Sequence, residues 1–67
     1  MDNAIGHAAG NVYRYLEGNG PATASRIRKA TGLKDSTLHM AIGWLAREAK
    51  VHRSTNGRST EWVVATS

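Results

Sequence analysis

Sixty-seven residues without a cysteine carry nine Lys or Arg against five acids, a formal net charge of +4. A chain of this length buries only about 60% of the surface its unfolded form exposes, which fits one small domain (1–67) with a thin stability margin. The composition excludes a disulfide framework or thiolate metal site, no apolar run approaches the ~18 residues of a membrane span, and the scattered His7, His39 and His52 imply neither metal nor cofactor.

The first fifteen residues lack the basic start and apolar stretch of a secretory signal, so a cytoplasmic protein is expected. The charge is uneven. Residues 26–67 hold eight Lys or Arg against Asp35, Glu48 and Glu61, giving +5, whereas residues 1–25 hold Arg14 against Asp2 and Glu17, giving −1. That asymmetry favours a polyanionic partner.

Residues 1–4 carry no periodic signal and are expected to fray. From Ile5 to Glu17, Ile5, Ala9, Val12 and Leu16 recur at helical spacing with Ala8 alongside, which predicts a first helix over 5–17. Tyr13 and Tyr15 flank its apolar stripe and are expected half buried. Gly6 and Gly10, four residues apart, each cost about 1 kcal/mol in a helix interior relative to Ala. Close approach of another helix, within the domain or from a second copy, is the expected reason. Gly18-Asn19-Gly20 ends the helix and Pro21 cannot extend it. Residues 21–23 are a candidate third strand against a later hairpin.

A second helix is predicted over 24–31, capped by Thr23 or by Ser25 one turn in. Ala24, Ile27, Ala30 and Thr31 face inward; Arg26, Arg28 and Lys29 face outward. Gly32 stops it and Leu33 turns back into the core. A third helix follows within a few residues, over 35–49, capped by Asp35 or by the Lys34 backbone. Its apolar stripe is Leu38, Ala41, Ile42, Leu45 and Ala49; the opposite face carries Ser36, Met40, Gly43 and Arg47, with Trp44 at the border. A turn this short makes the two helices cross steeply, the helix–turn–helix arrangement.

Residues 50–64 read as a hairpin, because Asn56-Gly57 between runs rich in β-branched residues signals a type I′ turn. That loop sets Thr55 against Arg58, Arg53 against Thr60, Val51 against Trp62 and His52 against Glu61. Val51, Trp62 and Val64 then form an apolar base that docks on the helices, since an isolated hairpin is marginal, and Arg53 and Arg58 project at the tip. Residues 65–67 are expected to be tail.

This order of elements resembles the winged helix–turn–helix domains, an α+β class with three helices and a two-stranded wing. The run from Pro21-Ala22-Thr23-Ala24-Ser25-Arg26-Ile27 through Thr31-Gly32-Leu33-Lys34-Asp35-Ser36-Thr37-Leu38 is similar to the turn region of many bacterial and archaeal winged-helix regulators. Ile5-Gly6, Ala9-Gly10 and Met40-Ala41-Ile42-Gly43-Trp44-Leu45-Ala46-Arg47-Glu48 resemble a family of small stand-alone prokaryotic winged-helix proteins. The resemblance implies binding of double-stranded DNA and transcription regulation. Residues 35–49 would be the recognition helix in the major groove, with Ser36, Thr37 and Met40 nearest the bases. Arg47 and Lys50, two to three turns further along, would meet phosphates or no DNA at all, and Lys29 and Lys34 beside the turn would touch phosphates. Arg53 and Arg58 would be the wing pair on backbone or minor groove.

The recognition face departs from a base-reading one. Bidentate contacts to guanine or adenine need Arg, Asn or Gln, whereas Met40 and Trp44 adjoin here at a spacing of four. Such a pair suits a protein contact, so an interaction module using Met40 and Trp44, or the Gly6/Gly10 face in a homodimer, is the alternative. Trp44 is either an interface anchor or a core residue under the wing base against Trp62 or Val51. Ser36 and Thr37 serve equally as helix-start caps. No nucleophile, base and orienting acid occur in a recognisable arrangement, so no enzymatic activity or small-molecule substrate is expected.

Overall fold

A computed structural model describes residues 4–65. Its elements are α1 (Ala4–Asn19), β1 (Ala22–Thr23), α2 (Ala24–Thr31), α3 (Asp35–Arg47), β2 (Val51–Asn56) and β3 (Ser59–Val64). The frayed start expected at residues 1–4 lies outside the described residues except for Ala4, which opens α1. The tail expected at 65–67 lies outside them except for Ala65, whose N–H donates to the Lys50 carbonyl at 2.8 Å.

Alternation at helical spacing builds the core. Ala8, Ala9, Val12 and Leu16 line one side of α1; Leu38, Ala41, Ile42 and Leu45 line one side of α3. These two stripes pack on each other, and the small residues Ala8, Ala9 and Ala41 let the helices approach. Ile27 of α2, Ala22 of β1 and Val51 of β2 complete the buried set, with Tyr13, Tyr15, Leu33, Trp62 and Val64 packed against it. Ala30, expected to face inward, is exposed, and Ile5 is only half buried.

Local chemistry sets the helix ends. α1 runs past Glu17 because Gly18 and Asn19 remain helical. The Asn19 side-chain amide donates to the Tyr15 carbonyl at 3.0 Å, and Gly20 takes the left-handed turn at φ 81° with its N–H on the Leu16 carbonyl. Thr23 caps α2, its hydroxyl oxygen accepting from the Arg26 N–H at 3.2 Å. Gly32 closes α2 at φ 72°, its N–H donating to the Arg28 carbonyl. Of the two caps expected for α3, Lys34 is the N-cap and makes no side-chain cap hydrogen bond.

α3 ends at Arg47, two residues before the expected end, and Ala49 leaves the buried stripe to become exposed. Ala49 adopts φ 58°; its N–H donates to the Ala46 carbonyl at 3.1 Å and the Lys50 N–H to the Leu45 carbonyl at 2.9 Å. This pair of bonds is a Schellman motif with alanine where glycine is usual. It reverses the chain so that Val51 enters the sheet.

The sheet is antiparallel in the order β1-β3-β2, so the short strand expected at 21–23 is present at Ala22–Thr23, paired with Trp62 and Glu61. The hairpin register differs from the expected one. Asn56 pairs with Ser59, Thr55 with Thr60, Arg53 with Trp62 and Val51 with Val64, so the two-residue loop is Gly57-Arg58. Gly57, at φ 65°, holds the first loop position, where a type II′ turn requires glycine. This register sets Val51 against Val64, the two apolar residues at the base, and His52 faces Val63 rather than Glu61.

Candidate nucleic-acid interface

The geometry of α3 follows from what it buries. Opposite the stripe of Leu38, Ile42 and Leu45, positions 36, 40, 43 and 47 recur at a spacing of four or three and form one outward row. At 1.5 Å per residue the row from Ser36 to Arg47 spans about 16 Å. Ser36, Gly43 and Arg47 are exposed, and Met40 keeps 55% of its surface in solvent. Thr37, one position round, is half buried.

Trp44 stands beside Met40 with 44% of its surface exposed, so it is a surface residue and not core beneath the wing. Trp62 alone of the two tryptophans packs against the core. No helix fills the space at Gly6 or Gly43: a Cβ built on either meets nothing within 4 Å, and at Gly10 it meets only the Arg14 guanidinium at 3.9 Å. A helix of the same chain, one of the two neighbours expected at Gly6 and Gly10, is therefore absent there, and Gly6 is exposed.

Exposed cations stand on α2 and at both ends of α3. Lys29 is exposed on α2, and Lys34 is exposed at the start of α3. Arg26 and Arg28 extend the basic face of α2, and Lys50 follows α3; all three are exposed. Arg28 is committed: its Nε lies 3.2 Å from Asp35 Oδ1, bridging α2 to the first turn of α3. Both side chains are largely solvated, so the pair contributes less than about 1 kcal/mol, but it neutralises the acid nearest the turn. Among the described residues this is the sole ion pair, which leaves Lys29, Lys34, Arg47, Arg53 and Arg58 without an acidic partner. The two wing arginines stand further apart than the expected register implies. Arg53 sits mid-strand opposite Trp62, and Arg58 sits in the loop, about 13 Å further along at ~3.3 Å per residue. Both are exposed.

His39 Nδ1 lies 2.8 Å from the Asp35 carbonyl oxygen, so that nitrogen carries the proton and donates to it. Among the described residues no group of His, Asp and Glu is placed to hold a metal ion, and no helix is long and apolar enough to cross a membrane.

The model of a family described as a winged helix-turn-helix domain (DUF2582) matches residues 1–66. The chain belongs to that family. This winged helix-turn-helix protein is also 40% identical over 67 residues to "Uncharacterized protein MJ1608" of Methanocaldococcus jannaschii, covering 96% of this chain and 91% of the relative. A solved chain of HOP2 is similar in structure, with a TM-score of 0.66 and 31% identity over 85% of this chain and 97% of that one. The work on HOP2 concerns its DNA recognition and protein interaction domains and its homologous DNA pairing properties.

Proposed function

We propose that this winged helix-turn-helix protein binds double-stranded DNA as a transcriptional regulator or an architectural module. α3 lies in the major groove and the wing follows the backbone or the minor groove. The observation that carries the reading is the set of exposed cations without acidic partners, Lys29 on α2, Lys34 and Arg47 at the ends of α3, and Arg53 and Arg58 on the hairpin. Phosphate contacts of this kind set register on the duplex without reading sequence, and Ser36 and Met40 stand nearest the bases, with Thr37 beside them. The likeness to HOP2 supports the reading, since DNA recognition is among the properties described for that protein.

Titration of isotope-labelled protein with a duplex at low salt tests it. Amide shifts are expected along Ser36–Arg47 and Arg53–Arg58, with residues on the far side of α1 unmoved. An unchanged spectrum at saturating duplex contradicts the proposal. Exposed Met40 and Trp44 also favour a second reading, a protein partner or a second copy of the chain on α3. Light scattering across a concentration series detects the second copy, and Trp44→Ala abolishes the association if that reading holds.

A further inference from the structure

We infer that α3 reads thymine through its C5-methyl group, with Met40 and Trp44 making the contact and Gly43 letting the helix sit close against the groove. The inference rests on the DNA reading above and names the feature of DNA that this face recognises. α3 contains neither Asn nor Gln, and its one Arg, Arg47, is its last residue. Within α3, bidentate hydrogen-bond readout of guanine or adenine is therefore confined to the Arg47 end, and Ser36 and Thr37 offer single hydroxyl bonds at the other. The large exposed groups in the middle are apolar, Met40 and Trp44, neighbours at a spacing of four. On the major-groove edges of the four bases the one apolar group is the thymine methyl, so an apolar reading face matches thymine.

Gly43 adds an independent observation. It lies inside α3, where glycine weakens a helix relative to alanine, and no atom of its own chain occupies the space a Cβ would fill. On the outward row it separates Met40 from Arg47, so the backbone is barest where a groove would meet it. The surroundings decide between DNA and a protein as occupant. The exposed cations Lys34 and Arg47 stand at the two ends of the row without a partner, the exposed Glu48 carboxylate follows Trp44 by one turn, and Asp35 is held by Arg28. An apolar strip with a cation at each end, in a segment (26–67) with eight Lys or Arg against three acids, complements a groove walled by phosphates.

The test compares affinities by fluorescence anisotropy for two pairs of short duplexes. One pair differs only in thymine against deoxyuridine, and the other, rich in G·C, only in cytosine against 5-methylcytosine. Wild-type protein is expected to lose about fourfold in affinity for each covered methyl that is removed and to gain when methyls are added to cytosine. Met40→Ala abolishes the difference in affinity within both pairs. Gly43→Ala weakens binding to every duplex. Circular dichroism checks that the exposed substitutions leave the fold intact. Equal wild-type affinities within both pairs overturn methyl readout while DNA binding stands, whereas no binding to any duplex sinks both readings. A methyl effect that survives in both Met40→Ala and Trp44→Ala overturns the residue assignment. Self-association lost in Trp44→Ala with DNA affinity unchanged gives the face to a second copy and also overturns the inference.

Discussion

Single residues carry the strain and the exposure that the alternation of apolar and polar residues does not show. Ala49 sits at φ 58°, a left-handed conformation costing about 1–2 kcal/mol for a residue with a Cβ. Nothing local announces it, because alanine is the best helix former; the reversal is imposed by the need to deliver Val51 to the sheet. Ala49→Gly relieves that strain and loses part of the gain to the greater freedom of the unfolded chain, about 0.4–1 kcal/mol. The expected net is a stabilisation of up to about 1 kcal/mol, read as a rise in thermal midpoint of a few degrees. Gly43→Ala is expected to stabilise the free protein by about 1 kcal/mol, since the new methyl meets nothing. Denaturant unfolding checks it, and a loss of stability would show that Gly43 is needed by the fold itself. Spacing alone leaves Trp44 undecided because it borders the buried stripe; the fold leaves it 44% exposed.

At the scale of elements, the turn chemistry was legible where side chains bond the backbone. Thr23 caps α2, and Gly20 and Gly32 take left-handed turns, as expected from their residue types. Thr23→Ala removes the Arg26 N–H partner and is expected to cost about 1 kcal/mol, measured as a lower denaturation midpoint with an unchanged slope. The hairpin register was not legible, for a reason intrinsic to strands. Moving the loop from Asn56-Gly57 to Gly57-Arg58 shifts the pairing by two residues, and a shift of two keeps every side chain on its original face. The apolar pattern therefore fits both registers. The observed one joins Val51 to Val64 and leaves Ala22 paired with Trp62 on the other side of β3.

Across the whole molecule, the uneven charge of the sequence and the direction of the exposed α3 face point the same way. Order of elements and core composition were readable because a small domain has few ways to bury Val12, Leu16, Ile27 and Leu38 together. The candidate site was readable only as a set of residues; its arrangement depended on the register, which separated Arg53 from Arg58, and on the turn that paired Arg28 with Asp35. The most direct measurement is the affinity for duplex DNA as a function of salt, for the wild type and for the variant carrying Arg53→Ala and Arg58→Ala. With four to six phosphates neutralised, log K is expected to fall with log[salt] at a slope of roughly −4 to −5, and the variant to flatten it by about 2. A wild-type slope near zero, or a slope unmoved by the two substitutions, contradicts the account.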